Sequence, residues 1–210
     1  MALLYRADLS PSKLELLAAW LPKQSWYRGP AAPEPERVTA FRFDDPDGEV
    51  GIETIVVRVG DGPLLQTPLT YRAAPLPGAE AWLLGTTEHS VLGTRWVYDA
   101  CGDPVYAAAL TAAVLTGGGQ AEEMIDMGDG RLERREPHAV AKGSGTAASL
   151  PATKMKILSV DGGDPAVIVT DAVELTALRT LGGTAPGDLT LTATWKDQPD
   201  PVLLATARTR

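Results

Sequence analysis

Apolar side chains recur at helical spacing in the first structured segment of the chain, residues 11–21. Ser10 is the predicted N-cap, Pro11 suits the first helical position and Pro22 stops the helix. One face of this helix should be buried, because it carries four apolar residues, Leu14, Leu17, Ala18 and Leu21.

A second apolar segment with helical character covers residues 104–116. Asp103 precedes Pro104 and is the predicted N-cap, and three glycines at 117–119 end the helix. The two helices therefore flank the first half of the chain.

The remaining apolar positions lie in short stretches rich in β-branched residues, separated by Gly, Pro and Asp. Pro68 lacks an amide hydrogen and predicts an edge strand or a bulge in its stretch. Residues 161–164 and 197–201 are predicted turns. The predicted strands are residues 38–43, 49–59, 64–72, 82–87, 94–98, 154–160, 166–170, 189–196 and 202–207.

Short strands joined by tight turns predict a mainly antiparallel sheet with helices packed on it, an α+β fold. The glycines at 117–119 and the polar, glycine-rich residues 120–150 divide the chain. We therefore predict an α+β unit over residues 1–118 and a β-rich unit over residues 119–210, with the option that both pack as one body.

Composition narrows the class of protein. The 210 residues include 19 basic and 27 acidic ones, a net charge of −8, which argues against a nucleic-acid partner. No apolar run reaches the roughly 18 residues of a membrane span, and the first residues lack a secretion signal. These features predict a cytoplasmic protein without a membrane partner. The single cysteine, Cys101, is expected to be a small buried residue.

Glycine-rich and acidic segments offer two weak candidate sites. The backbone N–H groups of Gly143, Ser144, Gly145 and Thr146 could hold a phosphate, although a flexible connector is the alternative. The acidic residues 44–49 resemble a calcium loop but lack its later glutamate, so we interpret them as a hairpin turn. We predict no metal site and no catalytic residue.

The densest group of polar and aromatic side chains lies between residues 70 and 103. Aromatic rings stack on sugars, whereas carboxylates and guanidinium groups bind hydroxyls and anions. The alternative is a polar network that fastens a helix to the sheet, with Asp103 acting only as a cap. The predicted ligand- or partner-binding residues are Tyr71, Arg72, Glu88, His89, Arg95, Tyr98 and Asp99.

The segment WLPKQSWYRG, residues 20–29, resembles the W-L-x-x-Q-x-W-[FY]-x-G signature of actinobacterial maltokinases. Gly85-Thr86, the RWVYD segment 95–99 and the helix after Asp103 are similar to the end of the N-terminal cap of those enzymes. The resemblance covers residues 12–116, and stand-alone relatives are sometimes labelled α-glucan branching proteins. That label conflicts with size, because branching chemistry needs a β/α barrel of roughly 250 residues.

The resemblance implies a link to maltose, trehalose and α-glucan metabolism, because maltokinase phosphorylates maltose with Mg·ATP. It also implies that the β-rich half is similar to a kinase N-lobe or intermediate subdomain. No catalytic residue carries over, since the helical lobe that holds those residues in the family has no counterpart here.

Three functions follow as hypotheses. The first is a non-catalytic, cap-like binding or regulatory protein, with a sugar, glucan or protein partner and no cofactor. The second is part of a split or reduced sugar kinase that uses Mg·ATP. The third is a cap fold reused as a protein-interaction scaffold, which an exposed apolar surface would favour.

Overall fold

The computed structural model describes residues 1–5, 7–127, 131–148 and 155–210. These residues form two α-helices and three β-sheets, most of whose strand pairs are antiparallel, which confirms the predicted α+β class. Neither described helix is long and apolar enough to cross a membrane.

The central sheet is built from the first half of the chain and is antiparallel throughout. Its strands occur in the order β2-β6-β7-β5-β4-β3. Most of the predicted strands are confirmed, with ends shifted by a few residues. Their bounds are β2 Leu9–Ser10, β3 Pro35–Phe43, β4 Gly51–Val59, β5 Leu65–Arg72, β6 Leu83–His89 and β7 Gly93–Asp99.

The edge position predicted from Pro68 is wrong for the strand as a whole, because β5 lies between β4 and β7. Pro68 pairs with Thr54 on one side, whereas the pairing with β7 begins one residue later, at Leu69. Proline has no N–H group to donate to a neighbouring strand. β5 therefore tolerates Pro68 inside the sheet, because this residue is paired with β4 but not with β7.

A second antiparallel sheet contains the C-terminal strands in the order β10-β14-β15-β13-β12-β11. The predicted hairpin turn at 161–164 is confirmed, and the second turn is shorter than predicted because β15 begins at Gln198. The predicted first residue of β11, Lys154, lies outside the described residues. The strands are β10 Ala139–Gly143, β11 Ile157–Asp161, β12 Ala166–Thr170, β13 Val173–Ala177, β14 Leu189–Trp195 and β15 Gln198–Thr209.

A small third sheet joins the chain's beginning to its middle. β1 (Ala2–Tyr5) pairs in parallel with β8 (Glu123–Asp126), which pairs antiparallel with β9 (Leu132–Arg135). The sequence reasoning missed these strands, together with β2, β10 and β13.

Helix α1 covers Lys13–Trp20, and its N-cap is Ser12, not Ser10 as predicted. The Ser12 hydroxyl accepts from the Glu15 N–H, and the Glu15 carboxylate accepts from the Ser12 N–H, at 3.3 and 2.7 Å. This reciprocal capping box satisfies the N–H groups of Ser12 and Glu15, so the N-cap lies two residues after the predicted one. Ser10 instead lies in β2.

Helix α2 covers Pro104–Thr116 and begins and ends as predicted. Asp103 caps it by accepting from the Val105 N–H at 2.9 Å, and Gly117 ends it with a φ of +69°, a conformation that favours glycine.

Both faces of the central sheet are buried, as β4 illustrates. Ile55 and Val57 belong to a core with α1, Trp20 and Trp26. Ile52 and Val56 belong to a second core, formed with α2 and the C-terminal sheet. The central sheet therefore lies between α1 on one side and α2 with the C-terminal sheet on the other.

Several contacts cross the proposed boundary at residue 118. β1 pairs with β8, and the Gln66 side chain donates to the carbonyls of Leu178 and Leu204 at 2.9 and 3.1 Å. The second core contains buried residues from both sides of residue 118. The two predicted units thus share a core.

Candidate functional site

Arg72 and Asp103 form a bidentate ion pair between the end of β5 and the start of α2. The Arg72 Nε and Nη2 atoms donate to the two Asp103 carboxylate oxygens, both at 2.7 Å. The Thr70 hydroxyl donates to the same carboxylate at 2.8 Å. These bonds to Asp103 raise the pKa of the Arg72 guanidinium. Asp103 is therefore both the cap of α2 and the point where that helix is fastened to the sheet.

Asp99 forms a second, fully buried ion pair. Its carboxylate accepts from both terminal nitrogens of Arg179, at 3.0 and 2.5 Å, and neither side chain is more than 3% exposed. Burial opposes the charge on Arg179, but Asp99 outweighs burial and raises the pKa of the guanidinium. Asp99 thus binds a residue from the segment after β13, in the other half of the chain.

The same guanidinium lies over two tryptophan rings of the W-L-x-x-Q-x-W segment. Its central carbon is 6.0 Å from the Trp20 ring centroid and 5.5 Å from that of Trp26. Both distances fall within the range of a cation–π contact. Both tryptophans of the sequence signature therefore contact an arginine that sequence reasoning did not single out.

Tyr71 belongs to a third group, on the α1 side of the sheet. Its hydroxyl donates to the Glu53 carboxylate at 2.8 Å, which also pairs with Lys13 at 2.5 Å and Arg42 at 3.2 Å. Burial would raise the pKa of the Glu53 carboxyl, but Arg42 and Lys13 lower it to about 2. Burial and Glu53 raise the pKa of Tyr71, and burial lowers that of Lys13.

The remaining predicted site residues stabilise turns. His89 Nδ1 accepts from the backbone N–H groups of Val91 and Leu92, at 3.2 and 3.1 Å, and burial and Arg95 lower its pKa. Glu88 accepts from the Thr94 hydroxyl at 2.7 Å, and Arg95 donates to the Thr94 carbonyl at 3.0 Å. Tyr98 is buried, and its hydroxyl accepts from the Leu76 N–H at 2.9 Å.

The residues predicted to form one cluster between 70 and 103 therefore belong to several separate groups of contacts. Tyr71 and Arg72 are neighbours on a strand and point to opposite faces of the sheet. Each buried member has an internal partner, which is the polar network that the sequence offered as the alternative. A ligand-binding role for these residues stays a prediction.

The glycine segment 143–146 closes against the end of α2. The N–H groups of Gly143, Ser144 and Gly145 donate to the carbonyls of Gly118, Thr190 and Val114, at 2.7, 2.9 and 2.9 Å. These amides are therefore used within the chain and do not surround an open anion site, which corrects the predicted phosphate loop. Their bonds to other elements also correct the alternative, a flexible connector.

Two smaller predictions hold in the described residues. Cys101 is fully buried, and burial raises the pKa of its thiol. The acidic segment 44–49 is a turn in which the Asp45 carboxylate accepts from the N–H groups of Asp47, Glu49 and Val50. No group of three or more potential metal ligands occurs in the part of the chain that the structure describes.

The sequence reasoning missed a groove of about 600 Å³ beside α2, which we call the α2 groove. The outer side of α2 forms its floor, with Val105, Ala108, Ala109 and Ala112, and the acidic turn forms one wall. The run of alanines in α2 was the available signal, but alanine is also the best helix former and is common in any helix. The other lining residues are Phe43, Asp44, Asp45, Pro46, Asp47, Pro104, Ala113, Thr116, Gly118, Gly119, Gln120, Ala121 and Met155.

Comparison with known proteins agrees with the resemblance seen in the signature. Residues 20–103 match the family described as the maltokinase N-terminal cap domain. The match begins at the last residue of α1 and ends at the cap of α2, so it covers most of the central sheet. No curated protein matches the chain. Residues 20–103 are therefore similar to a maltokinase N-terminal cap domain, and the rest of the chain lies outside that match.

Proposed function

We propose that this chain is a non-catalytic, cap-like binding or regulatory protein of maltose, trehalose and α-glucan metabolism, and that it binds a protein partner from that metabolism. The observation that carries the proposal is the match of residues 20–103 to the maltokinase cap domain. This match supports a role in the same metabolism as maltokinase, the enzyme from which the domain takes its name.

The internal pairing of the polar residues supports the non-catalytic part. Arg72, Asp99 and Glu53 each form an ion pair within the fold, with donor–acceptor distances between 2.5 and 3.2 Å. A residue that binds substrate or moves a proton must have an open hydrogen-bonding direction toward it. An ion pair that only stabilises the fold needs no such open direction.

A phosphotransfer assay tests the proposal first. The purified chain is incubated with Mg·ATP and maltose, and maltose 1-phosphate is measured. We expect no product above the level without protein. Formation of maltose 1-phosphate by the chain alone would overturn the proposal and favour the reduced kinase, with Mg·ATP as cofactor and the C-terminal sheet as its kinase N-lobe-like unit.

A second assay tests the regulatory part. Maltokinase from the organism that encodes this chain is assayed with and without a molar excess of the chain, and their association is measured by calorimetry. We expect binding and a change in the rate of maltose phosphorylation. Neither binding nor a rate change would remove maltokinase as the partner.

Thermal unfolding with maltose, trehalose and a maltooligosaccharide distinguishes a sugar partner from a protein partner. A ligand that binds the folded state raises the unfolding temperature. We expect no shift, because the candidate sugar-binding side chains are bonded internally. A shift that Tyr71→Phe abolishes would instead place a sugar or glucan near the predicted cluster.

The scaffold hypothesis has one specific observation in its favour. The α2 groove is lined mainly by apolar side chains, and alanine methyl groups form its floor. An exposed apolar surface of this kind is typical of protein-interaction sites. The groove therefore supports a protein partner whether or not that partner belongs to maltose metabolism.

A further inference from the structure

The turn between β6 and β7 is closed by the side chain of a histidine, the residue whose charge changes near neutral pH. We propose that this turn is a pH-sensitive switch: the neutral imidazole of His89 keeps it closed, and protonation of Nδ1 releases it. The turn carries two exposed apolar side chains, those of Val91 and Leu92, which are 54% and 40% exposed. The pH therefore determines whether these two side chains have a fixed position on the surface.

The Nδ1 atom of His89 is the acceptor on which closure depends. It accepts from the backbone N–H groups of Val91 and Leu92, at 3.2 and 3.1 Å. An imidazole nitrogen accepts a hydrogen bond only while it carries no proton, so these two donors assign the proton of the neutral ring to Nε2. A proton added at Nδ1 would face both N–H groups, and the two hydrogen bonds would be lost together.

The side chains around His89 favour its neutral form. Burial lowers the pKa of the imidazole, and three cations from β7, α1 and β3 lower it further: Arg95, Lys13 and Arg42. The Tyr5 ring of β1 meets the imidazole edge-on, with the ring centroids 6.1 Å apart. Two acidic residues adjoin the turn, Asp8 and Glu88, and the Glu88 carboxylate accepts from the Thr94 hydroxyl. A charge on the imidazole would therefore add to three cations that already act on it.

The base of the turn is held by contacts that do not involve the imidazole. The Ser90 N–H donates to the Asp8 carbonyl, and the Asp8 N–H donates to the Ser90 hydroxyl, both at 3.0 Å. None of these groups titrates near neutral pH. We therefore expect protonation of His89 to release Val91 and Leu92 while Ser90 keeps its hydrogen bonds.

The lowered pKa of His89 fixes the direction of the pH effect. In the unfolded chain the imidazole takes up a proton near its ordinary value of 6.5, whereas in the folded chain it does so only at lower pH. Closure of the turn therefore stabilises the fold fully well above pH 6.5. This stabilisation is lost as the pH falls through the pKa of the folded chain.

Nuclear magnetic resonance of the full chain tests the switch, because the sequence contains only two histidines, His89 and His138. The imidazole signals and the hydrogen exchange of the backbone amides are followed between about pH 5 and 8. We expect the amides of Val91 and Leu92 to lose protection, relative to their intrinsic exchange rates, by roughly twofold to tenfold as His89 becomes protonated. The Ser90 amide should keep its protection and is the internal control.

Three variants separate the imidazole from the rest of the turn. His89→Asn places an amide oxygen where Nδ1 lies and cannot titrate, so Val91 and Leu92 should stay protected at every pH. His89→Phe keeps a ring without an acceptor, so both amides should exchange fast at every pH. His138→Gln removes the other histidine and should show the same pH dependence as wild type.

Any of three results would overturn the proposal. The first is constant protection of Val91 and Leu92 while the His89 signal titrates, and the second is a pKa of His89 above 6.5. The third is a pH dependence of these amides that persists in His89→Asn. The first two are measured on the wild-type chain, so a variant that fails to fold does not prevent a decision. The maltokinase assays do not depend on these outcomes.

Discussion

At the scale of single residues, the Asp99–Arg179 ion pair joins the central sheet to the segment after β13. Both side chains are buried, each carboxylate oxygen has a guanidinium donor, and two tryptophan rings lie against the cation. Burying such a pair costs desolvation free energy, which its hydrogen bonds offset only while both partners are present.

We therefore expect either single change, Asp99→Asn or Arg179→Met, to lower the free energy of unfolding by about 3–5 kcal/mol, because each leaves one charge buried without its counterion. The double variant should recover much of that loss. Urea unfolding of the four proteins measures the coupling.

Arg134→Met provides the matched control, because Arg134 pairs with Glu122 on the surface, where the two side chains are 64% and 54% exposed. That change should cost less than about 1 kcal/mol. Equal effects of Arg134→Met and Arg179→Met would show that burial of the Asp99 pair contributes nothing.

Glu53 makes the free energy of unfolding depend on pH in the acidic range. Its pKa of about 2 in the folded chain lies below the ordinary value of 4.5, so the unfolded chain binds the proton more readily. The stabilisation is complete above about pH 5 and disappears as the pH falls toward 2, and it amounts to about 3 kcal/mol. Urea unfolding across this range should show a shallower pH dependence for Glu53→Gln than for wild type.

Glu88→Gln, which removes an exposed carboxylate bonded to Thr94, is the control and should keep the wild-type pH profile. If Glu53→Gln and wild type lose stability in parallel between pH 5 and 2, the ion pairs of Glu53 with Lys13 and Arg42 do not act as the structure indicates.

Sequence reasoning selected polar and aromatic residues between 70 and 103 but could not identify their partners. Asp99 pairs with a residue 80 positions away, and Arg42 and Lys13 meet Glu53 from β3 and α1. Such pairings depend on how sheets and helices pack in space. Proximity in sequence therefore suggested one cluster where the sheet, whose side chains alternate between faces, forms three.

At the scale of elements, the contact between β10 and the end of α2 depends on glycine. A Cβ atom on Gly143 would lie 1.9 Å from the Ala113 carbonyl oxygen, closer than any real contact allows. The strand can approach the helix backbone only without a side chain at this point.

We expect Gly143→Ala to lower the free energy of unfolding by about 1–3 kcal/mol or more, because the helix or the strand must move. Gly183→Ala is the control: its Cβ would lie 3.5 Å from a Leu178 methyl carbon, an ordinary contact, and the change should stay within about 0.5 kcal/mol. Thermal unfolding of both variants checks the difference, and equal stabilities would contradict the close approach.

Elements with strong local signals were predictable, and those defined by their neighbours were not. Asp103 and the glycines at 117–119 mark both ends of α2 in the sequence itself. β10, with the sequence AVAKG, has little β-branched character and becomes a strand because β14 pairs with it and α2 packs against it. A local pattern does not contain that information.

At the scale of the whole molecule, the cap-like region and the C-terminal sheet share one core. The buried residues of α2, among them Leu110 and Val114, lie in the same cluster as Ile168, Leu191 and Leu204 of the C-terminal sheet. The composition of the chain suggested a boundary at residue 118 because glycine and polar residues follow it. Packing across that position was not visible in the sequence.

A fragment of residues 1–118 should therefore fail to fold on its own. It would expose the side of α2 that packs on the C-terminal sheet and would lose the β1–β8 pairing and the Arg179 counterion of Asp99. We expect no cooperative thermal transition by circular dichroism, whereas the full chain should show one. A sharp transition of the fragment would indicate two independent domains.

The arginine that contacts Trp20 and Trp26 constrains how this domain can spread among proteins. The matched region, residues 20–103, contains both tryptophans and Asp99, but Arg179 lies 76 residues beyond its end. A recombination event that moved the matched region alone would leave Asp99 buried without a counterion, unless the new host supplied a cation at the same place. Gene fusions are therefore expected to inherit the cap-like region together with the sheet that follows it.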